Sequence, residues 1–351
     1  DLSFLDPFPG LLEALFYADE WPGGLIFNSQ HASFYPLHSI SQAKALQKRI
    51  DEKTMFNKEG HSSFIYHLSD LHLGPKKKLK AVSNLLDSLD ECDQYAQSSH
   101  KKQVFITGDL MNSPNTKNMY QANGFMTMIR KRYKADITFV LGNHDMIVKG
   151  LSIGGRQRTK VIAYLLGEKI KVIEKDKIVL VKIDSNAGGN LARGMITRRQ
   201  LDQIDSELAG IENLEDYTIV VLLHHHVFKV SKSDFLKIQW REKSIFGTIL
   251  DKSKALVDAE MFATWLQQRH IKYVLHGHKH VPYFMNKKGT YYISAGSATG
   301  GLKESESHYY SYNVLRYDYM DKKMKTCLIF YDDKKKSERQ RVEVYLLEED
   351  E

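Results

Sequence analysis

From residue 62 onward, short apolar runs alternate with longer amphipathic segments. Runs of strand length are found at "SFIYHLS", "QVFITG", "ITFVLG", "KIVLVKID", "YTIVVLLH" and "IKYVLHG". Segments in which apolar residues recur at helical spacing separate several of them, as in "LKAVSNLLDSLDECDQYA", "NMYQANGFMTMIRKRY" and "RRQLDQIDSEL". This alternation predicts an α/β protein built of packed layers.

The pattern of apolar residues changes after His280. Helical spacing stops there, and β-like runs follow at "TYYISAG", "YSYNVLRYDY", "MKTCLIFYD" and "VEVYLLE". These runs predict a second, mainly antiparallel sheet packed on the first. No internal repeat or long low-complexity linker divides the chain. We expect one large domain over residues 61–347, with an N-terminal extension of unknown role at residues 1–60 and an acidic tail at residues 348–351.

Composition limits the kinds of partner and the cellular compartment to be expected for this protein. The 351 residues include 50 basic and 43 acidic ones, and the pI near 9.0 favours anionic partners or substrates without requiring nucleic acid. With only Cys92 and Cys327, the sequence has no disulfide framework or thiolate metal cluster, so we expect a cytoplasmic protein. No apolar stretch approaches the roughly 18 residues of a membrane span. The sequence begins at Asp1 rather than at methionine, so removal of an upstream segment or signal stays open.

Polar side chains follow five of the apolar runs at their C-terminal ends. They come from "LSDLH", "ITGDL", "LGNHD", "VLLHHHVF" and "LHGHKH", and are Asp70, His72, Asp109, Asn143, His144, Asp145, His224, His225, His226, His276, His278 and His280. In open α/β sheets, ligands bind in the crevice outside the carboxyl ends of the strands. We therefore expect these distant residues to converge.

The donor atoms of this set are oxygen and imidazole nitrogen, without sulfur. Such ligands suit borderline divalent ions such as manganese, iron, zinc or nickel. One ion would not use so many ligands, but two ions would if a carboxylate bridged them, as in dinuclear hydrolases with ions about 3.5–4 Å apart. Each piece alone is more typical of a turn or a satisfied polar group. Five pieces in order, each after an apolar run, favour a metal centre.

The order Asp-x-His, Gly-Asp, Gly-Asn-His-Asp, His and Gly-His-x-His resembles the calcineurin-like metallophosphoesterase superfamily, over roughly residues 62–300. The resemblance implies a layered α-β-β-α sandwich with two mixed β-sheets. Between the motifs, "VKIDSN" followed by "ARGMITRRQLDQIDSEL" is similar to the bacterial cyclic-nucleotide phosphodiesterases.

The resemblance also implies how the ligands divide between two ions, for which we expect manganese, iron or both. One ion would be held by Asp70, His72, Asp109 and His280, and the other by Asp109, Asn143, His224 and His278. Asp109 would then be the bridging carboxylate. The triple histidine leaves the register open, because His224 and His226 share a face on a continuing strand, and the family pattern favours His224. His276 is expected to be a strand residue without a catalytic part.

Two further residues receive catalytic roles from the resemblance. His144 would donate a proton to the leaving oxygen or stabilise the charge that develops there, and Asp145 would orient the His144 imidazole. The implied reaction is in-line attack of a metal-bound hydroxide on phosphorus. A basic and aromatic connection at residues 229–254, containing Trp240 and Arg241, is open to two interpretations, a lid that contacts substrate or a surface loop.

Three functions follow from the resemblance. The first is a dinuclear metal-dependent phosphoesterase that hydrolyses phosphodiester bonds in a cyclic or other nucleotide. The second is a DNA or RNA nuclease, whose nucleic-acid affinity would fall steeply with salt. The third is a non-catalytic scaffold, as in the retromer subunit that has this fold and has lost part of the site. Because every expected position is filled in this sequence, we favour an enzyme. The oligomeric state stays open.

Overall fold

The computed structural model describes residues 62–76, 78–93, 102–148, 151–152, 167–186, 193–228, 256–300, 309–332 and 342–344. The N-terminal extension, the connection at residues 229–254 and the acidic tail lie outside these residues. Within the described ranges, no helix is both long enough and apolar enough to cross a membrane.

The predicted strands and helices occur among the described residues in the predicted order. The strands are β1 (Ser62–Leu68), β2 (Lys102–Thr107), β3 (Ala135–Val140), β4 (Ile147–Val148), β5 (Leu151–Ser152), β6 (Ile170–Ile173), β7 (Ile178–Lys182), β8 (Thr218–Leu222), β9 (Tyr273–His276), β10 (Pro282–Lys287), β11 (Thr290–Ala295), β12 (Tyr309–Asp318), β13 (Lys323–Asp332) and β14 (Val342–Val344). The helices are α1 (Lys78–Asp93), α2 (Thr116–Tyr133), α3 (Arg198–Leu208) and α4 (Ala259–Gln268). Of these elements, β4, β5, β6, β10 and α4 are additional to the predicted ones.

The strands form two mixed sheets of six strands each. Sheet one has the order β14-β13-β12-β1-β2-β3, and sheet two has the order β10-β11-β9-β8-β7-β6. In sheet one, β1, β2 and β3 are parallel while β12 runs antiparallel to β1. In sheet two, β7, β8, β9 and β11 are parallel, with antiparallel strands at both edges. These two mixed sheets confirm the predicted fold class.

One expectation about the sheets is wrong. The strands after His280 do not build a separate antiparallel sheet: β10 and β11 extend sheet two, and β12, β13 and β14 extend sheet one. The strands before His280 are also divided between the sheets, with β1 to β3 in sheet one and β6 to β9 in sheet two. Each sheet therefore combines parallel and antiparallel pairs. Apolar periodicity identifies a strand but not its partner, because pairing depends on contacts between distant parts of the chain.

Three apolar layers hold the sheets and helices together. Residues that alternate along β1 and β2 face opposite sides, so Ile65 and Phe105 pack between the two sheets against Leu180 and Leu222. The other face of sheet one packs on α1 and α2, through residues such as Leu85. The helices α3 and α4 cover sheet two from its own outer side. The order of layers is therefore helix, sheet, sheet, helix.

Candidate metal centre

The predicted ligands come together at one edge of the paired sheets. They follow the C-terminal ends of β1, β2, β3, β8 and β9, as parallel strands require. Backbone hydrogen bonds join the loops directly: the Asp70 N–H donates to the Gly108 carbonyl (3.0 Å), and the Gly277 N–H donates to the His224 carbonyl (3.0 Å). Gly108 is held at φ +94, and a Cβ there would lie 2.4 Å from Nδ1 of His224. Only glycine allows this approach.

Five of the predicted ligands have left-handed backbone conformations. The φ angles are 53° at Asp70, 43° at His72, 50° at Asp109, 75° at His278 and 55° at His280. Aspartate and histidine tolerate this region better than most residues, yet such conformations cost roughly 1–3 kcal/mol each and cluster at functional sites. Five of the eleven described non-glycine residues with positive φ are thus expected ligands, which points to a site that demands their geometry.

The first cluster consists of Asp70, His72, Asp109 and His280. Their donor atoms all lie within 4.8 Å of one another. Nε2 of His280 is 3.1 Å from Nε2 of His72 and 3.2 Å from Oδ1 of Asp70. Burial lowers the pKa of His72 well below its usual value, and the nearby His280 adds to this effect. Burial alone would raise the pKa of Asp70, but the surrounding imidazoles hold it well below its usual value. A neutral imidazole and an ionised carboxylate are the forms that bind metal.

The second cluster consists of Asp109, Asn143, His224 and His278. Three of its donor atoms form a nearly regular triangle: Oδ1 of Asn143 is 3.0 Å from Nε2 of His224 and 3.1 Å from Nδ1 of His278, and the two nitrogens are 3.1 Å apart. Ligand atoms about 2.1 Å from one octahedral ion lie about 3.0 Å from each other. The triangle therefore has the dimensions of one face of an ion's coordination sphere.

The hydrogen-bonding groups of the second cluster are arranged as if a cation lay between them. Nδ1 of His224 donates to the Thr107 carbonyl (2.8 Å), and a neutral imidazole bonded in this way turns its Nε2 lone pair to the Asn143 amide oxygen. Two acceptors then face each other at 3.0 Å. A metal ion between such lone pairs resolves the conflict, and its own oxygen and nitrogen ligands would be Asn143, His224, His278 and Asp109.

Asp109 lies between the two clusters. Its Oδ2 is 3.9 Å from Nε2 of His72 and 3.5 Å from Nε2 of His224, while its Oδ1 accepts the backbone N–H of His144 (2.8 Å). Burial raises the pKa of this carboxyl against the opposing effect of the His224 and His144 imidazoles. One oxygen atom thus faces a ligand of each cluster, which is the placement that a bridging carboxylate needs.

His144 lies at the edge of the centre, with its ring 4.9 Å from the His72 ring and its Nδ1 3.3 Å from the Asn112 carbonyl. The expected role of Asp145 needs correction. Its carboxylate accepts three backbone N–H groups, from Gly142 (2.9 Å), Leu110 (3.2 Å) and Met111 (2.7 Å), and it is buried. Asp145 therefore ties the loop after β3 to the loop after β2, and a carbonyl rather than this carboxylate faces the His144 imidazole.

The other histidines of the "VLLHHHVF" and "LHGHKH" motifs lie around the centre rather than in it. His224 belongs to the second cluster, whereas His225 turns to Ser185 (Nδ1 to Oγ, 2.8 Å). The His226 ring stacks on the His278 ring at 5.8 Å. His276 is buried in β9 with its ring 5.2 Å from that of Tyr283.

Ser69, which orients one of the expected ligands, is not distinguished by the sequence. The Ser69 hydroxyl donates to Oδ2 of Asp70 (2.6 Å), and the His278 N–H donates to the same oxygen (3.0 Å). With Oδ2 occupied, Oδ1 is turned toward His280. The only signal in the sequence is the serine that precedes the Asp-x-His motif, and serine at a strand end is too common to be distinctive.

The fold and the site together define a class: α/β proteins with two packed mixed sheets whose strand ends carry clustered oxygen and imidazole ligands. The chain belongs to the family described as calcineurin-like phosphoesterase, whose model matches residues 65–282. No curated protein matches the chain in sequence.

Several solved structures are similar to this chain at low identity. Phosphopantetheinyl hydrolase from Mycobacterium tuberculosis is 11% identical with a TM-score of 0.41, covering 68% of this chain and 91% of that one. GAP50, the anchor in the inner membrane complex of Plasmodium, is 12% identical with a TM-score of 0.48, covering 82% and 90%. A Vps29 mutant from Entamoeba histolytica is 15% identical with a TM-score of 0.37, covering 81% and 99%. These values carry no role or substrate over to this protein.

Proposed function

We propose that the protein is a dinuclear metal-dependent phosphoesterase that hydrolyses phosphodiester bonds, with a cyclic or other nucleotide as its substrate. Membership of the phosphoesterase family supports the reaction class. The observation that carries the metal centre is the triangle of Asn143, His224 and His278 donor atoms beside a carboxylate that also faces His72. We further propose manganese, iron or both as the native ions, since the ligands are oxygen and imidazole.

The roles of the residues follow from their positions. Ions bound by the two clusters would lower the pKa of solvent and offset negative charge on the phosphate. Asp109 holds its carboxylate between the clusters, so both depend on one side chain. His144 stands beside the first cluster with its Nδ1 directed to a carbonyl, which leaves Nε2 as the atom that can pass a proton to a leaving oxygen.

The segment that resembles cyclic-nucleotide phosphodiesterases supports the finer part of the proposal. Gln200 of α3 holds the backbone of Asp184 through two hydrogen bonds, at 2.8 and 3.0 Å. Asn186 then donates to the Leu141 carbonyl (2.8 Å), just before the Asn143 ligand. The segment thus helps to hold the centre, and its resemblance to the cyclic-nucleotide enzymes is the reason for proposing a nucleotide substrate.

The test is a turnover assay with the full chain, stripped of metal and reloaded with manganese. We expect hydrolysis of bis-nitrophenyl phosphate that requires the metal and exceeds hydrolysis of mono-nitrophenyl phosphate. A screen of cyclic nucleotides, dinucleotides and single-stranded nucleic acid then identifies the substrate. Absence of turnover of both nitrophenyl esters by the metal-loaded protein would reject the enzyme in favour of a scaffold. Hydrolysis confined to nucleic acid, with affinity that falls steeply with salt, would identify a nuclease.

A further inference from the structure

The loop that carries Asp70 and His72 is held from behind by a segment that follows β11. The Ser297 hydroxyl donates to the Asp70 carbonyl (2.9 Å), the Ala298 N–H donates to the Ser69 carbonyl (2.9 Å), and the Thr299 hydroxyl donates to the Leu71 carbonyl (2.5 Å). Three successive carbonyls are therefore bound by three successive residues. We call residues 297–299 the first brace.

The first brace is buried and is itself fixed to a helix. Ser297 is 2% exposed and Thr299 is 1% exposed, so water does not compete for these hydrogen bonds. Nζ of Lys78, in the first turn of α1, donates to the carbonyls of Thr299 (2.8 Å) and Gly300 (2.6 Å). The strained conformations of Asp70 and His72 persist only if their surroundings hold them, and the first brace supplies contacts to that backbone.

The second cluster is held by a different segment. The Asn186 amide donates to the Leu141 carbonyl (2.8 Å), two residues before Asn143. The Ser185 hydroxyl accepts the backbone N–H of His225 (3.2 Å), the residue next to His224, and also contacts Nδ1 of the His225 ring (2.8 Å). Ser185 and Asn186 are both buried. We call Ser185 and Asn186 the second brace.

We infer that Ser297 and Thr299 are positioning residues for the first cluster and that Ser185 and Asn186 are positioning residues for the second. The inference rests on the proposed dinuclear centre. The two braces follow different strands of sheet two, β11 and β7, and bind different loops, so each acts on the ligands of one ion. The affinity of the two ions can then be changed separately by residues that touch neither ion.

The expected size of the effect follows from the buried carbonyls. Thr299→Val keeps the shape of the side chain but leaves the Leu71 carbonyl without its hydroxyl donor. Loss of a residue that orients metal ligands typically lowers metal affinity about 10- to 100-fold. We expect that loss for the first ion alone. Thr299→Ser retains the hydroxyl and restores the affinity. Asn186→Leu removes the amide donor to Leu141 and lowers the affinity for the second ion alone.

The experiment is a calorimetric titration of the metal-stripped full chain with manganese, resolved into two binding steps. His72→Ala and His224→Ala each remove one ligand and so assign one step to each cluster. We expect Thr299→Val to weaken the step that His72→Ala removes, and Asn186→Leu to weaken the other. Electron paramagnetic resonance of bound manganese reports the paired ions independently of turnover, and circular dichroism confirms folding.

The outcomes separate the inference from the function on which it rests. Equal weakening of both binding steps by each variant, or no change in either step, would refute the positioning roles of the two braces. The same conclusion would follow if Thr299→Ser bound the first ion as weakly as Thr299→Val. If Thr299→Val does not fold, Ser297→Ala removes a single bond of the same brace and takes its place. Fewer than two manganese ions per wild-type chain would instead refute the dinuclear centre itself.

Discussion

Replacing Gly142 with alanine should displace the carboxylate that both clusters share. Gly142 precedes the Asn143 ligand, and a Cβ built on it would lie 2.1 Å from Oδ1 of Asp109 and 2.3 Å from the Asp109 nitrogen. Carbon and oxygen atoms that are not bonded rarely approach closer than about 3.3 Å. Either the Asp109 loop or the Asn143 loop must therefore move by about 1 Å. The φ angle of Gly142 is not in the left-handed region, so the effect is one of space alone.

The magnitude follows from the displacement. A shift of about 1 Å in a catalytic constellation costs on the order of 100-fold in rate, which corresponds to about 2.7 kcal/mol. Because Oδ2 of Asp109 faces His72 and His224, we expect lower metal content at both clusters as well. Steady-state hydrolysis of bis-nitrophenyl phosphate and metal analysis of the same sample measure the two effects.

Gly124→Ala is the matched control. Gly124 lies within α2, and a Cβ there would have no atom within 4 Å. The same chemical change should leave turnover and metal content unaltered and stabilise the helix by about 0.5–1 kcal/mol. Wild-type turnover and metal content in Gly142→Ala would refute the reasoning, because the centre would then tolerate displacement of its shared carboxylate.

Three other changes test separate parts of the protein. Asp109→Asn should abolish most activity and reduce metal occupancy at both clusters, measured by metal analysis. His144→Ala should keep both ions and slow turnover about 100- to 10,000-fold; full activity would reject the proton-donor role. Burial, with a smaller contribution from His276, lowers the pKa of His67 from 6.5 to about 3. Between pH 6.5 and about pH 3 the unfolded chain binds a proton at this histidine that the folded chain does not. The free energy of unfolding therefore decreases by about 1.4 kcal/mol for each unit by which the pH is lowered below 6.5. Urea unfolding between pH 7 and pH 5 should show a flatter dependence for His67→Gln, and an unchanged slope would contradict this account.

The convergence of the expected ligands could be predicted from the sequence because two simple rules act together. Apolar runs identify the strands, and the C-terminal ends of parallel strands meet at one edge. Asp70 and His224 are far apart in the chain, yet both follow buried strands that are parallel to at least one neighbouring strand. No side-chain detail was needed to place them in one centre.

The sequence could not predict which strands pair. The run of β12 is as apolar as that of β11, but β12 lies beside β1 in sheet one while β11 lies beside β9 in sheet two. The strand β10 begins at Pro282 and was missed altogether, and its position at a sheet edge explains why proline is tolerated there. Contacts between distant segments decide these features, and local pattern does not record them.

The role of Asp145 shows a second limit. Its place after His144 suggested that the carboxylate orients the neighbouring imidazole, but the loop turns so that its oxygens accept backbone N–H groups of Gly142, Leu110 and Met111. The direction of a side chain in a tight loop depends on the backbone conformation at that residue. The order of residues gives the members of the site without giving the direction in which each one points.

The strain in the ligand loops explains why so many buried hydrogen bonds surround them. The left-handed conformations at Asp70 and His72 are sterically unfavourable, and the donor atoms of Asn143 and His224 are only 3.0 Å apart. The three apolar layers and the braces must therefore hold these groups in place before any ion arrives. A site arranged in this way spends little free energy on reorganisation when it binds metal, because the rigid sheets have already fixed the geometry. We therefore expect metal binding to be sensitive to changes in the residues behind the proposed ligands, such as Thr299, as well as to changes in the ligands themselves.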